Sequence, residues 1–198
     1  MPHKLYFNYF KMGVCIEDIL SNFFCFSGGV AGTLMSNLGL ARALEAHGIP
    51  FERAAVGDRY VLQRLQERGW TLGGEPSGHI VNLNRNTTGD GIVSALMVLA
   101  ELVRGGQTLS EAVAELRYYP QAQVSVRLSA RSEVTDYPAV ADTIAAVEAE
   151  LGEHGRVVVR NSGTEPKVRV MVEGREEGAT ADLAERIAAV IRAEMPVA

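Results

Sequence analysis

Two valine-rich runs, Val157-Val158-Val159 and the alternating Val168, Val170 and Val172, stand on either side of one short polar stretch, residues 160–167. No other feature constrains the fold of this chain as tightly. β-branched residues favour strands, and two strands joined by so short a loop pair as an antiparallel hairpin. Successive strand side chains point to opposite faces. The valines at 168, 170 and 172 therefore share one face, and Arg169 points away from it, toward whatever the loop binds.

The stretch itself, Arg160-Asn-Ser162-Gly163-Thr164-Glu-Pro166-Lys-Val-Arg169, has the composition of an anion site. Arg160 and Arg169 each carry a fork of donors that matches two phosphate oxygens. Ser162 and Thr164 add hydroxyl donors. Gly163 can adopt a positive φ and let successive backbone N–H groups converge. A surface turn with solvated arginines is the competing reading. An arginine at each edge favours the phosphate.

Upstream, short apolar strands alternate with helical periods. Val30 to Thr33 reads as a buried strand, followed by a helix capped by Ser36 or Asn37, with Leu38, Leu40, Ala41 and Leu44 as its apolar face. Phe51 to Val56 is a second strand, and the next helix starts near Asp58 with Val61, Leu62 and Leu65 turned inward. Ile80 to Leu83 is a third strand. This βαβαβ alternation predicts an α/β domain with a mostly parallel sheet over residues 27–117. Thr88 or Asp90 caps a helix to about Val103, whose Ile92, Val93, Leu96, Met97, Leu99, Ala100 and Val103 read as core. A shorter helix, about Thr108 to Leu116, closes the domain. Tyr118-Tyr119-Pro120 reads as a hinge. Residues 121–198 predict a small α+β domain: an antiparallel sheet with helices on one face, built as strand, helix, strand, strand, helix.

Two further stretches carry chemistry. Glu75, Ser77 and His79 are spaced by two, so in extended chain they fall on one side and offer a carboxylate, a hydroxyl and an imidazole to sugar hydroxyls. Gly74 and Gly78 permit close backbone approach. A polar strand edge is the plainer alternative. Asp58, Arg59 and Tyr60 open a helix, where Asp58 reads first as an N-cap. Thr87, Thr88 and Asp90 read first as caps as well.

These stretches, in this order, resemble the α-D-phosphohexomutases. The arginine-edged loop through Gly174 resembles the bacterial phosphoglucosamine mutases in particular. Gly73-Gly74-Glu75-Pro-Ser77-Gly78-His79-Ile, Asn86-Thr87-Thr88-Gly89-Asp90-Gly91-Ile, Gly32-Thr33-Leu-Met-Ser36-Asn37-Leu-Gly39-Leu and Val56-Gly57-Asp58-Arg59-Tyr60-Val61-Leu62 agree. The resemblance covers about residues 28–198 and implies the third and fourth domains of that family. It implies a sugar-contacting role for Glu75, Ser77 and His79. Phosphate binding is implied for Arg160, Ser162, Gly163, Thr164 and Arg169, and a catalytic role near the reacting end of the sugar for Asp58 or Arg59. It further implies an intramolecular phosphotransferase acting on glucosamine phosphates through glucosamine 1,6-bisphosphate. The family's phosphoserine loop, Ser-His-Asn-Pro-like, and its magnesium loop, Asp-Gly-Asp-x-Asp-Arg-like, do not occur here. Mg²⁺ belongs to the full-length family, and no carboxylate cluster for a hard cation is visible in this chain. The expectation is therefore an enzyme portion without mutase activity alone, its missing half supplied by another chain or by further domains. A stand-alone sugar-phosphate or anion-binding module is the alternative, and a broken gene product a third reading.

A net charge of −5 gives no electrostatic reason to expect nucleic acid or an acidic membrane surface. No eighteen-residue apolar run suggests a membrane span, and a cytoplasmic setting is the default. Cys15 and Cys25 fit no metal or redox spacing. Both fall within residues 1–26, with Tyr6, Phe7, Tyr9, Phe10, Phe23, Phe24 and Phe26. That aromatic-rich segment departs from the alanine, arginine and glycine usage of the rest, and is expected to be foreign to the family.

Overall fold

The structure, a computed structural model, describes residues 27–163 and 165–197. The reading of residues 1–26 as a foreign segment thus lies outside the described residues. Its contacts divide it into two compact units that part between Arg117 and Tyr118, with the short stretch Asn37–Leu40 joining the second.

In the first unit, β1 (Val30–Thr33) leads through α1 (Leu38–Ala46) to β2 (Phe51–Ala54), and α2 (Asp58–Arg68) leads to β3 (Leu72–Gly74). β4 (Ile80–Asn82), α3 (Gly91–Gly105) and the short α4 (Leu109–Ala112) follow. The sheet order is β2-β1-β3-β4, with β1 parallel to both neighbours and β4 antiparallel to β3. The sheet is thus mixed and mostly parallel. β3 is a strand the apolar periodicity missed, because Gly73 and Gly74 leave it almost without side chains. Those glycines are needed: a Cβ on Gly73 would come within 2.6 Å of the Ala31 carbonyl oxygen and of Val61 Cγ1. β3 then turns directly into β4, so Ile80 pairs back onto Gly74 rather than continuing the parallel series.

Right-handed crossovers running in opposite directions place α1 and α2 on opposite faces of the sheet. Val61 and Leu65 of α2 are fully buried against Ala31 and Val81. Burying a leucine to this extent stabilises the fold by roughly 1.5–3 kcal/mol. Gly69, at φ 66°, ends α2 in a left-handed turn that satisfies its last carbonyls.

α3 departs from the sequence reading. Asp90 caps it, its carboxylate accepting from Ile92 N and Val93 N. The side chains it buries are Ser94, Met97 and Glu101. Ser94 donates to the Asp90 carbonyl, and Asn82 Nδ2 approaches Met97 Sδ. Of the residues expected in the core, Ile92, Leu96, Leu99, Ala100 and Val103 are exposed and Val93 is half-buried; Met97 alone is inside. Periodicity groups residues on a face but does not say which face meets the sheet. This helix is apolar nearly all round, so the pattern could not choose.

The second unit has the predicted order. β5 (Gln121–Arg127), α5 (Pro138–Leu151), β6 (Arg156–Asn161), β7 (Lys167–Glu173) and α6 (Glu177–Glu194) form an antiparallel sheet β5-β7-β6. Val168, Val170 and Val172 face a core closed by Val140 and Val147 of α5 and by Leu183, Ile187 and Ile191 of α6. The other face carries Lys167 and Arg169, and also the buried Met171 with Val158 opposite it.

Candidate functional site

The hairpin between β6 and β7 sets one cluster. Ser162 N donates to the Lys167 carbonyl at 2.8 Å, closing the loop. Register places Arg160 directly opposite Arg169, and Ser125 of β5 opposite Arg169 on its other side. The two guanidiniums therefore share the polar face, as strand alternation requires. Arg160 has its pKa pushed below the ordinary value, first by burial and then by the charge of Arg169. Two like charges face each other there, and among the described residues no carboxylate pairs with Arg160. A dianion relieves that repulsion.

Four residues near the loop were not singled out from sequence. Lys167 and Arg127, paired across β7 and β5, extend the cationic row. Glu165 sits among these cations, its carboxylate 2.8 Å from Lys167 Nζ and 3.9 Å from Arg169 Nη2. Lys167 and, more weakly, Arg169 and Arg127 hold that carboxyl below its ordinary pKa. Lys167 has the same strand parity as Arg169, so alternation alone could have found it. Arg131 could not have been found: it reaches back across 32 residues to donate to the Gly163 carbonyl. Gly163 does not use the positive φ open to it, and a side chain there would meet open space. Ser162 is buried beside it, and Thr164 lies outside the described residues. A small cavity of about 60 Å³ adjoins the loop between Arg131, Glu133, Asn161 and Lys167. Neither Arg160 nor Arg169 lines it.

The first unit carries a second cluster. Glu75, Ser77 and His79 are not in extended chain; they form the tight turn between β3 and β4. Glu75 N donates to the His79 carbonyl at 2.9 Å, and Gly78 takes φ 93°. The turn nevertheless gathers the three side chains. Ser77 Oγ lies 2.8 Å from His79 Nδ1, and Glu75 Oε2 lies 4.0 Å from the same nitrogen. Nucleophilic triads divide serine and carboxylate between the two ring nitrogens. Here both face Nδ1, so the set is a hydrogen-bonding platform rather than an activated nucleophile. Gly89 abuts His79: a Cβ there would stand 2.6 Å from His79 Cβ. The Asn86–Gly91 stretch therefore backs the platform.

The opening of α2 joins this cluster through the backbone. Gly57 N donates to Glu75 Oε1 at 2.8 Å. Gly57, at φ 129°, is the N-cap of α2. Asp58 is thus the first helical residue rather than the cap, and its carboxylate accepts from Arg59 N at 2.7 Å. Arg59 lies over the Tyr60 ring, 4.4 Å from its centre. Asp58 and Arg59 are both exposed. No set of three His, Cys, Asp or Glu side chains among the described residues has the grouping of a metal site.

Comparison with known proteins now bears on both clusters. Residues 9–119 match the family described as phosphoglucomutase/phosphomannomutase, alpha/beta/alpha domain III. Residues 124–190 match phosphoglucomutase/phosphomannomutase, C-terminal domain. The first match reaches back into the segment that its composition sets apart. Phosphoglucosamine mutase of Methylococcus capsulatus is 58% identical over 164 residues, which is 83% of this chain and 37% of that protein. Phosphoglucosamine mutase of Chromohalobacter salexigens is 57% identical over 171 residues, 85% of this chain and 38% of that protein. The chain thus spans well under half the length of these relatives and corresponds to their C-terminal portion. The crystal structure of Aspergillus fumigatus N-acetylphosphoglucosamine mutase in complex with GlcNAc-6P and magnesium shares the fold. Its TM-score is 0.73 at 21% identity, over 88% of this chain and 42% of that one.

Proposed function

The chain belongs to the phosphoglucomutase/phosphomannomutase family, and from that membership we propose that it is the phosphosugar-recognition portion of a phosphoglucosamine mutase. The reaction is the interconversion of glucosamine 6-phosphate and glucosamine 1-phosphate, which supplies amino-sugar precursors in the cytoplasm. The observation that carries this reading is the apposition of Arg160 and Arg169 across the hairpin, with no carboxylate partner for Arg160 among the described residues. The hairpin holds the phosphate that is not reacting, through the two guanidiniums with Ser162, Gly163 and Thr164. The Glu75, Ser77 and His79 platform takes sugar hydroxyls and the amino group. Asp58 and Arg59, linked to that platform by Gly57, assist at the reacting end.

The residues described here do not fit a magnesium site, because their carboxylates do not cluster. The metal and the phosphoserine belong to the part of the family's length that this chain does not span. Catalysis in such phosphoryl transfer rests on positioning and charge stabilisation, and this chain contributes the positioning. The pure chain is expected to give no turnover of glucosamine 6-phosphate; robust turnover would overthrow the assignment of the reactive groups elsewhere.

The test of recognition is a calorimetric titration with glucosamine 6-phosphate, run beside Arg160→Ala. Saturable binding that the substitution weakens supports the reading. Equal affinity in the two proteins rejects the clamp. Binding that ignores the sugar and follows inorganic phosphate alone favours a simple anion-binding module.

A further inference from the structure

The cationic row on the polar face of the hairpin already holds one anion, and that anion is the protein's own. Glu165 Oε2 lies 2.8 Å from Lys167 Nζ and 3.9 Å from Arg169 Nη2. Arg169 pairs across the hairpin with Arg160, and Lys167 pairs across the sheet with Arg127. Among the described residues, Glu165 is the one carboxylate within ion-pair distance of any of these four cations. Its backbone is fixed while its side chain is not. The Glu165 carbonyl accepts from Lys167 N, and the next carbonyl, of Pro166, accepts from Leu128 N, both at 2.8 Å. The side chain is 44% exposed, so rotation about its own bonds moves the carboxylate into water. Ion pairs this exposed are weak and readily exchanged.

We propose that Glu165 is a displaceable occupant of the phosphate site: it lies beside Arg169 until a phosphate arrives, gives way to it, and so limits how tightly the site holds its ligand. This rests on the phosphate reading of the hairpin and adds its regulation. A phosphate gripped by Arg169 beside Lys167 competes with the carboxylate for the same donors, and two anions on one row of cations repel each other. Whether the carboxylate swings out or stays, its charge lowers the affinity. A hairpin that holds the phosphate not reacting, in an interconversion of 6-phosphate and 1-phosphate, must release one before it takes the other. A competitor built into the loop eases that release.

The test is calorimetric titration with inorganic phosphate and with glucosamine 6-phosphate, at low and at high salt. The wild-type chain is run beside Glu165→Gln, Glu165→Ala and Arg160→Ala. At low salt both Glu165 variants should bind each ligand about two- to fivefold more tightly, the range expected for losing one exposed charge. The gain should shrink at high salt, where exposed charges are screened. Glutamine keeps the length of the side chain and alanine removes it, so similar gains assign the effect to charge. A urea midpoint near that of the wild type qualifies a variant for the comparison, and the exposure of Glu165 favours both. Unchanged or weaker binding in the qualified Glu165 variants, with Arg160→Ala still weakening it, would overturn this proposal and leave the phosphate reading standing. A gain in only one of two qualified variants, or one that salt does not diminish, would assign the effect to packing and overturn it too. No saturable binding in any of the proteins would remove the phosphate reading and this proposal with it.

Discussion

At the scale of single residues, charge placement decides what this protein can bind. Arg160 and Arg169 confront each other because strand parity puts them on one face and register puts them opposite. Removing either should weaken phosphate-ligand binding by ~1.5–3 kcal/mol, as for other charge-assisted hydrogen bonds. Titration calorimetry of Arg169→Ala reads this as an affinity loss of roughly ten- to a hundredfold. Glu165 is the resident counter-anion of this row. Its carboxyl pKa is depressed, chiefly by the hydrogen bond from Lys167. The contribution of that contact is therefore fully present above the ordinary value of 4.5 and lost as pH falls through the depressed one. A carboxyl-detected NMR titration should find Glu165 titrating below 4.5, and Lys167→Met should return it toward that value. No movement in the variant would show that Lys167 is not the cause. The identities of these residues, and the parity of Arg160 and Arg169, were legible in the sequence. The hold of Arg131 on Gly163 was not, because no local pattern joins positions 32 apart.

Elements follow their local signals where those signals are mechanical. Gly69 and Gly106, both in left-handed conformation, end α2 and α3, and Asp90 starts α3. β7 carries the alternating Val168, Val170 and Val172 on one face as read, because period-two alternation beside a hairpin leaves no other register. The Glu75–His79 stretch shows the limit of such reasoning. Alternation predicted one shared side in extended chain; the chain turns instead, and the turn brings the same three groups together. Gly89 supports that arrangement from the next loop. Gly89→Ala puts a methyl against the His79 ring, with the nearest ring carbon at 2.8 Å. Overpacking of this kind typically costs about 1–3 kcal/mol. The imidazole should shift, seen as displaced His79 ring signals by NMR and weaker discrimination among sugar phosphates, with inorganic phosphate binding unchanged. Unmoved His79 signals would detach the Asn86–Gly91 stretch from the site.

Across the molecule, one buried charge joins segments that the sequence keeps far apart. Glu173 is fully buried and accepts from Arg156 Nε, from Gln121 Nε2 and, at 3.0 Å, from Asn37 Nδ2. Asn37 also exchanges hydrogen bonds with the Tyr119 backbone, at 2.9 and 3.1 Å. The Asn37–Leu40 stretch thereby belongs with the second unit although its neighbours in sequence belong to the first. Breaking a buried ion pair from one side commonly costs about 3–5 kcal/mol, because the remaining charge stays desolvated. Glu173→Ala should show a loss of that order in urea unfolding of the second unit, and a loss under 1 kcal/mol would mean water replaces the carboxylate. By itself the sequence determined the hairpin, the parity of its arginines, the Asp90 cap of α3 and the order of elements in the second unit. Each of these follows from backbone geometry within a few residues. Only the tertiary structure decided the direction of β4, the face that α3 buries, the turn that assembles Glu75, Ser77 and His79, and the partners of Glu173. Those depend on which surfaces meet across long separations, where competing pairings differ in packing and desolvation rather than in local preference.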